Sequence, residues 1–365
     1  MDMSFINVAN NMHAMAVAAL DRRDVEDAYR LLEMSITSAL MTGAEGTRIR
    51  FLLRPPELLP HPTVSPEHVM AVISAQEVTL YAWAEFVTKP LFTYERFPVV
   101  GDLLARVART LEPEQQITIV VDFGDGHDVG DYPRVAFSSS LPQALLVPDP
   151  YLYYNDDYAP YRQHVAEQAL PWRQRKDQLF WRGGSGSPRL SAPNPADPLD
   201  WNSQQRLQLL AAVKRSRHRD RLDVALSHVK TIEEDYLRQA VTHAGFLKPP
   251  VDKLVFLDYR YQLDIDGWSN SWSLLDKLIS GSCILKVASP SGFRQWFYDK
   301  LEPWKHYVPV TADLSDLDAA MDWALNHEDE AEQIAQAAQD VAATIRLEPD
   351  LQVAARVIST RLALL

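Results

Sequence analysis

Between Tyr259 and Val287 the chain reads YRYQLDIDGWSNSWSLLDKLISGSCILKV, and this stretch constrains the fold more than any other. Tyr259, Tyr261, Leu263 and Ile265 alternate with Arg260, Gln262, Asp264 and Asp266, the period of two of a strand. Gly267 breaks the alternation. Ser269, Asn270 and Ser271 are residue types whose side-chain oxygens cap helix starts, and Ser273 with Asp276 adds a box-like pair. Leu274, Leu275, Leu278 and Ile279 share one helical face, Gly281 ends the helix, and Cys283–Val287 forms a second apolar strand. The stretch is therefore a βαβ unit. Its polar turn lies at a strand's carboxyl end and opens a helix, where α/β sheets bind anions.

Composition narrows the function classes. A net charge of −13 argues against a nucleic-acid binder, which needs a basic surface to neutralise phosphates. The single cysteine, Cys283, excludes an internal disulfide and a multi-cysteine zinc site. No basic-then-apolar leader opens the chain and no apolar run has the length of a membrane span, so the expectation is a cytoplasmic protein. The basic run Lys214–Arg219 reads as a solvated loop, with peripheral contact to a membrane or an acidic acceptor as the second reading.

A chain of 365 residues accommodates two domains. The expected division is 1–170, 171–345 and a C-terminal helix over 346–365. Residues 1–110 read as mostly helical. Val25–Thr42 has helical apolar spacing, Ser65–Val87 opens with Ser-Pro-Glu and reads as one long helix, and Val99–Leu111 is another. Ile117–Phe123 is the first clear strand, with short strands at Val135–Phe137 and Ala144–Val147, and Pro148–Tyr161 reads as irregular. A second α/β pattern follows: strand Leu179–Trp181, helix Ser203–Lys214, strand Leu222–Leu226, helix Glu233–Ala244, the βαβ unit and three terminal helices. Two α/β halves are the simplest arrangement.

Several stretches carry candidate chemistry. Arg182-Gly183-Gly184-Ser185-Gly186-Ser187-Pro188-Arg189 follows a strand and offers bare backbone, hydroxyls and guanidinium forks to a phosphate. It is neither a Walker loop nor a dinucleotide fingerprint, and a plain surface loop reads equally well. The acidic cluster Asp122, Asp125, His127, Asp128 and Asp131 admits a solvated turn, a general base or a hard-metal site. Asp264 and Asp266 resemble the Asp-x-Asp metal motif of GT-A glycosyltransferases, though Asp266 could equally position the Gly267 turn. Phe293–Tyr307 gathers six aromatics around His306, an aromatic core or a carbohydrate surface.

Taken in order, these residues resemble glycosyltransferase family 90. The matching elements are Phe180-Trp181-Arg182-Gly183, Arg206-Leu207, Tyr261-Gln262, Asp264-Ile265-Asp266-Gly267, Ser271-Trp272-Ser273-Leu274 and Gly281-Ser282. Leu285-Lys286, Phe297-Tyr298, Pro303-Trp304, His306-Tyr307, Pro309-Val310 and Asp313-Leu314-Ser315 continue the match. The resemblance runs from Ile117 to Ala343 and is strongest after Tyr259.

It implies a GT-B-type α/β fold of two Rossmann-like domains facing a cleft, and inverting transfer of glucose or xylose from a UDP-sugar to an acceptor hydroxyl. No cofactor or metal is implied, because cations and dipoles can stabilise the leaving UDP. An Asp serves as base. Asp125 is favoured by strand phase, and Asp131 of Gly130-Asp131-Tyr132-Pro133 is its rival. The resemblance assigns donor and diphosphate binding to Arg182, Gly183, Ser185, Arg189, Arg206, Asn270, Ser271, Trp272 and Ser273, and sugar or acceptor contacts to Trp296 and His306. Ser273 stands where animal members carry a phosphate-contacting Arg, which shifts the neutralising role toward Arg182. The acceptor class stays open among glycan, glycolipid and protein, with a lipopolysaccharide or capsule precursor favoured. Two other classes remain: a metal-dependent phosphoester hydrolase built on the Asp122–Asp131 cluster, and a non-catalytic nucleotide-sugar or glycan binder.

Overall fold

A computed structural model describes residues 11, 14–16, 18–19, 24–44, 46–58, 68–83, 94–126, 132–187, 190, 203–229 and 234–362. It divides into two units, one of residues 1–157 with 346–365 and one of residues 158–345. The sequence reading placed the boundary at 170/171.

The first unit has a six-stranded mixed sheet in the order β1-β3-β2-β4-β5-β6. Its strands are β1 (Arg48–Leu53), β2 (His68–Ser74), β3 (Glu77–Ala82), β4 (Gln116–Asp122), β5 (Val135–Ala136) and β6 (Leu145–Leu146). Helix α1 (Val25–Met41) packs beside β1, and α2 (Phe97–Thr110) crosses it. The crossing is close: a side chain on Gly101 would strike the Leu40 carbonyl, and one on Gly43 the Pro98 carbonyl.

The expected long helix over Ser65–Val87 is wrong where the structure describes it. Residues 68–82 form the antiparallel pair β2–β3. Val69, Val72, Ile73, Val78 and Thr79 are β-branched, and both strands are buried on both faces, so neither shows a helical stripe. Ser74 closes the turn, its hydroxyl donating to the Glu77 carbonyl and accepting from the Glu77 N–H. The Ser-Pro-Glu signal that suggested a helix lies outside the described residues. Arg48–Leu53 is a further strand in the part expected to be helical. Pro148–Tyr161, expected to be irregular, instead holds α3 (Pro150–Tyr154), capped by the Asp149 carboxylate, and the start of α4 (Ala159–Gln168).

The second unit contains a five-stranded, wholly parallel sheet: β7 (Lys176–Gly184), β8 (Leu222–His228), β9 (Tyr259–Asp264), β10 (Cys283–Val287) and β11 (Val308–Val310). Helices α5 (Gln205–Arg215), α6 (Glu234–His243) and α7 (Leu274–Ser280) connect the first four strands. The spatial order is β8-β7-β9-β10-β11. In chain order this is 2-1-3-4-5, a doubly wound pattern whose direction reverses between β7 and β9. Leu179, Trp181, Val224, Tyr261, Leu263 and Leu285 pack one face of the sheet against α5, α8 (Leu317–Asn326) and α9 (Glu328–Ala343). The βαβ unit is present as expected, and Gly281 ends α7 at φ +70°. The expected capping box is not formed. Ser273 stands at the helix start, but its side chain makes no capping hydrogen bond.

The last helix, α10 (Leu347–Leu362), belongs to the first unit and packs on α2 and β4. The fold class is α/β with two separate sheets, as a GT-B-type chain requires. The first sheet departs from a pure Rossmann pattern because β2 runs antiparallel to both its neighbours.

Candidate functional site

In open α/β sheets ligands bind outside the carboxyl ends of the strands, where strand order reverses. Here that point lies between β7 and β9. The turns that leave it are Ser185–Ser187 and Ile265–Ser273, which hold Ser185, Asn270, Ser271, Trp272 and Ser273 of the residues assigned to donor binding.

The first turn of α5 organises this edge. Arg206 donates from Nε to the Asp266 carbonyl at 2.8 Å, from Nη1 to the Gly184 carbonyl at 2.8 Å and from Nη2 to the Ile265 carbonyl at 3.2 Å. One guanidinium thus joins the ends of the two switch-point strands. Its planar fork suits three carbonyls that an ammonium could not reach together. The Gln205 amide donates to the carbonyls of Ala288 and Ala312, just beyond β10 and β11, at 3.1 and 3.0 Å. Ser187 accepts from the Arg206 N–H and supplies a cap to α5 from the glycine-rich loop. Gln205 escaped the sequence reading. A glutamine fully buried at a helix start is its signature, and burial is not visible in sequence.

Arg182 is engaged elsewhere. Its guanidinium lies over the Phe180 ring and donates to the Trp181 and Asp223 carbonyls and, at 2.7 Å, to the Asp223 carboxylate. Lys248 and the Tyr259 hydroxyl reach the same carboxylate. Burial would raise the Asp223 pKa, but Lys248 and Arg182 together bring it below the ordinary value. Arg189 and Asp131 lie outside the described residues.

Beneath the second turn sits a buried ionic cluster. Asp264 has no exposure, and its carboxylate is 2.7 Å from Lys277 Nζ on α7 and 3.5 Å from Lys286 Nζ on β10. Burial alone would raise the Asp264 pKa, yet the two ammonium groups hold it below the usual carboxylate range. Lys277 also donates to Ser271 Oγ at 3.3 Å. At Asp266 burial outweighs the nearby charges, Lys286 favouring its ionised form and Asp264 opposing it. Neither of its oxygens has a hydrogen bond of ordinary geometry among the described residues, and burial pushes its pKa up to about 6. Two residues apart on an extended chain the carboxylates share a face, but their surroundings drive their protonation in opposite directions. Asp264, clasped by two lysines, does not fit a divalent-cation site.

Asn270 is fully buried and its Nδ2 has no partner among the described residues. Ser271 is buried, Trp272 half-buried and Ser273 exposed. Gly183 and Ser185 line the β7 end, where a side chain on Gly183 would strike the Trp181 ring. The Ser185 N–H donates to the His228 carbonyl at 3.0 Å. Trp296 packs edge-on against Phe297, and His306 is buried in a turn where its Nδ1 accepts from the Glu302 N–H at 2.9 Å. Burial lowers the His306 pKa. In the basic run, Arg217 and His218 pair with Asp322 and Ser216 with Asp318.

Within the first unit, Asp125 lies just beyond β4, and Arg96 clamps it by donating to its carboxylate and to the Phe123 carbonyl. Asp122 is buried. It accepts from the Gly124 N–H at 2.6 Å and lies 3.6 Å from His68 Nε2. His68 in turn meets Tyr132 Oη at 2.6 Å and Arg134 Nη1 at 3.2 Å. Because a guanidinium only donates, His68 Nε2 is the acceptor and Nδ1 carries the proton.

A family model described as Glycosyl transferase family 90 matches residues 157–347. Protein O-glucosyltransferase 2 of Danio rerio is 29% identical over 175 residues, 47% of this chain and 30% of that protein. Protein O-glucosyltransferase 3 of Homo sapiens is 39% identical over 87 residues, 24% of this chain and 17% of that protein. The chain thus spans less than a third of the length of either relative. Anabaena Alr3699/HepE in complex with UDP-glucose aligns at 14% identity and a TM-score of 0.34, covering 55% of this chain and 53% of that one.

Proposed function

The chain belongs to glycosyl transferase family 90, and we propose that it transfers glucose or xylose from a UDP-sugar to an acceptor hydroxyl with inversion at the anomeric carbon. The observation that carries this reading is the family match over residues 157–347, which contain the whole parallel sheet and its switch point. The names of the Danio rerio and Homo sapiens relatives favour glucose over xylose.

In the proposed reaction the acceptor oxygen attacks the anomeric carbon as the bond to UDP breaks. The hydroxyl proton passes to a carboxylate, Asp125 or its rival Asp131, and UDP leaves as the anion. Asp125 has support in its strand-end position and in the Arg96 clamp, which fixes its orientation. Lys277, Lys286 and the buried amide of Asn270 supply positive charge and a donor near the second turn. Arg182 is paired with Asp223, as the two lysines are with Asp264, so each cation reaches a diphosphate only in part. Metal-independence is part of the proposal, and the pairing of Asp264 with two lysines supports it.

A glycan or glycolipid acceptor in the cytoplasm completes the reading. A chain with one cysteine suits a reducing compartment. Among the described residues no helix is long and apolar enough to cross a membrane.

The test is turnover of UDP-glucose and UDP-xylose by purified protein with and without EDTA, alongside Asp125→Asn and Asp131→Asn. Turnover that survives chelation, and falls at least about 100-fold in one of the two variants, is expected. Chelation that abolishes turnover refutes metal-independence. Two fully active variants refute the base assignment, and a protein that binds UDP but turns over no donor is a binder.

A further inference from the structure

Trp268 is 51% exposed, although it stands in a turn that is otherwise largely buried. Its neighbours Ser269, Asn270 and Ser271 are all buried. One region of the indole is fixed against Gly186: a Cβ there would come within 2.7 Å of indole Nε1 and 3.1 Å of Cε2. Gly186 follows β7 and Trp268 follows β9, the two strands that flank the switch point. The bare glycine lets the indole lie on the loop backbone, which orients an aromatic surface while half of it stays open to water.

We infer that Trp268 is a stacking platform for the nucleobase of the nucleotide donor. The inference rests on the proposed donor reading and names a residue outside the motifs that carried the family resemblance. Aromatic faces bind bases by stacking. Three residues further along the same turn, at most about 11 Å of chain away, Ser271 meets Lys277 above the Asp264 cluster. A flat aromatic surface followed three residues later in the same turn by Ser271, whose hydroxyl meets an ammonium group, matches a ligand with a planar ring at one end and a diphosphate beyond it. The sugar ring of the donor would lie past the diphosphate. Trp304, equally exposed, differs in that its ring packs against Trp323.

Calorimetric titration of UDP and UDP-glucose into wild type, Trp268→Ala, Trp268→Phe and Gly186→Ala tests the assignment. Trp268→Ala should weaken UDP and UDP-glucose alike by roughly tenfold or more, raising KM and leaving kcat close to wild type. Trp268→Phe should retain most of the affinity. Gly186→Ala, which displaces the indole without removing it, should weaken both ligands in the same direction. Unchanged UDP affinity in Trp268→Ala overturns the inference, and so does a loss confined to UDP-glucose, which would assign the indole to the sugar. Wild type that binds neither ligand overturns the donor reading and this inference with it. Unfolding of each variant is followed in parallel, so a global loss of structure is separated from a local one.

Discussion

Replacing Lys277 by Met tests the buried cluster directly. The substitution keeps an unbranched stem out to the ε position and removes the ammonium 2.7 Å from Asp264, a carboxylate with no solvent exposure. Breaking a buried ion pair from one side costs roughly 3–5 kcal/mol, because the remaining charge is left without compensation. Lys286 stays 3.5 Å from the other carboxylate oxygen, which places the expected loss at the lower end, about 3 kcal/mol. Residues 158–345 fall in the size class where 1 kcal/mol moves Tm by roughly 2–4 °C. The second unit should therefore melt about 6–12 °C lower, measured by scanning calorimetry at pH 7. Asp264→Asn with Lys277→Met removes the uncompensated charge as well and should recover part of the loss. The sign with pH is also fixed. The folded pKa of Asp264 is depressed, so its contribution is complete above the unfolded value of about 3.9 and is lost as pH falls through the folded value. The Met variant should show a shallower acid loss. A shift under about 2 °C, or a double variant no more stable than Lys277→Met, would refute the pairing.

Asp266 should behave oppositely. Burial raises its folded pKa to about 6, so its contribution is complete below about 3.9 and lost as pH rises through 6. The Tm advantage of Asp266→Asn over wild type should accordingly grow between pH 4 and 7. Arg206→Ala, which frees three carbonyls at the switch point, should cost about 3 kcal/mol, and Arg206→Lys should recover only part of the resulting Tm loss. Cys283 is buried in β10 and its thiol pKa is pushed up by burial, so native protein should leave a thiol reagent unconsumed and denatured protein should take up one equivalent.

How far the sequence carried differed between the two units. In the second, strand alternation in Tyr259–Asp264 and the Gly281 stop made β9, α7 and β10 readable, and Glu328–Ala343 emerged with the bounds expected. In the first, β2 and β3 are buried on both faces, so the period of two disappears and a cap-like tripeptide prevailed over the β-branched residues. The site shows the same limit. The position of the polar turn was legible from residue types alone. The partners of its charges were not, because Arg182 meets Asp223 on the neighbouring strand and Lys277 meets Asp264 from helix to strand, pairings that residue types alone do not fix. One cue was present: Lys286 in CILKV is a single charge in an apolar run, and a buried lysine demands a carboxylate.

The return of α10 to the first unit bears on the order in which the protein takes shape during synthesis. Residues 158–345 are continuous, so the second unit has all its strands and helices once Ile345 has left the ribosome. The first unit begins earlier and finishes later, because Leu351, Ala355 and Ile358 complete its core. Arg106 on α2 then binds Glu348 at 2.6 and 2.8 Å, and the Asp157 carboxylate accepts from the Leu347 N–H at 2.5 Å. That last bond links the points where the chain leaves the first unit and re-enters it. A nascent chain halted before Leu347 would carry a finished second unit and a first unit still lacking its closing helix.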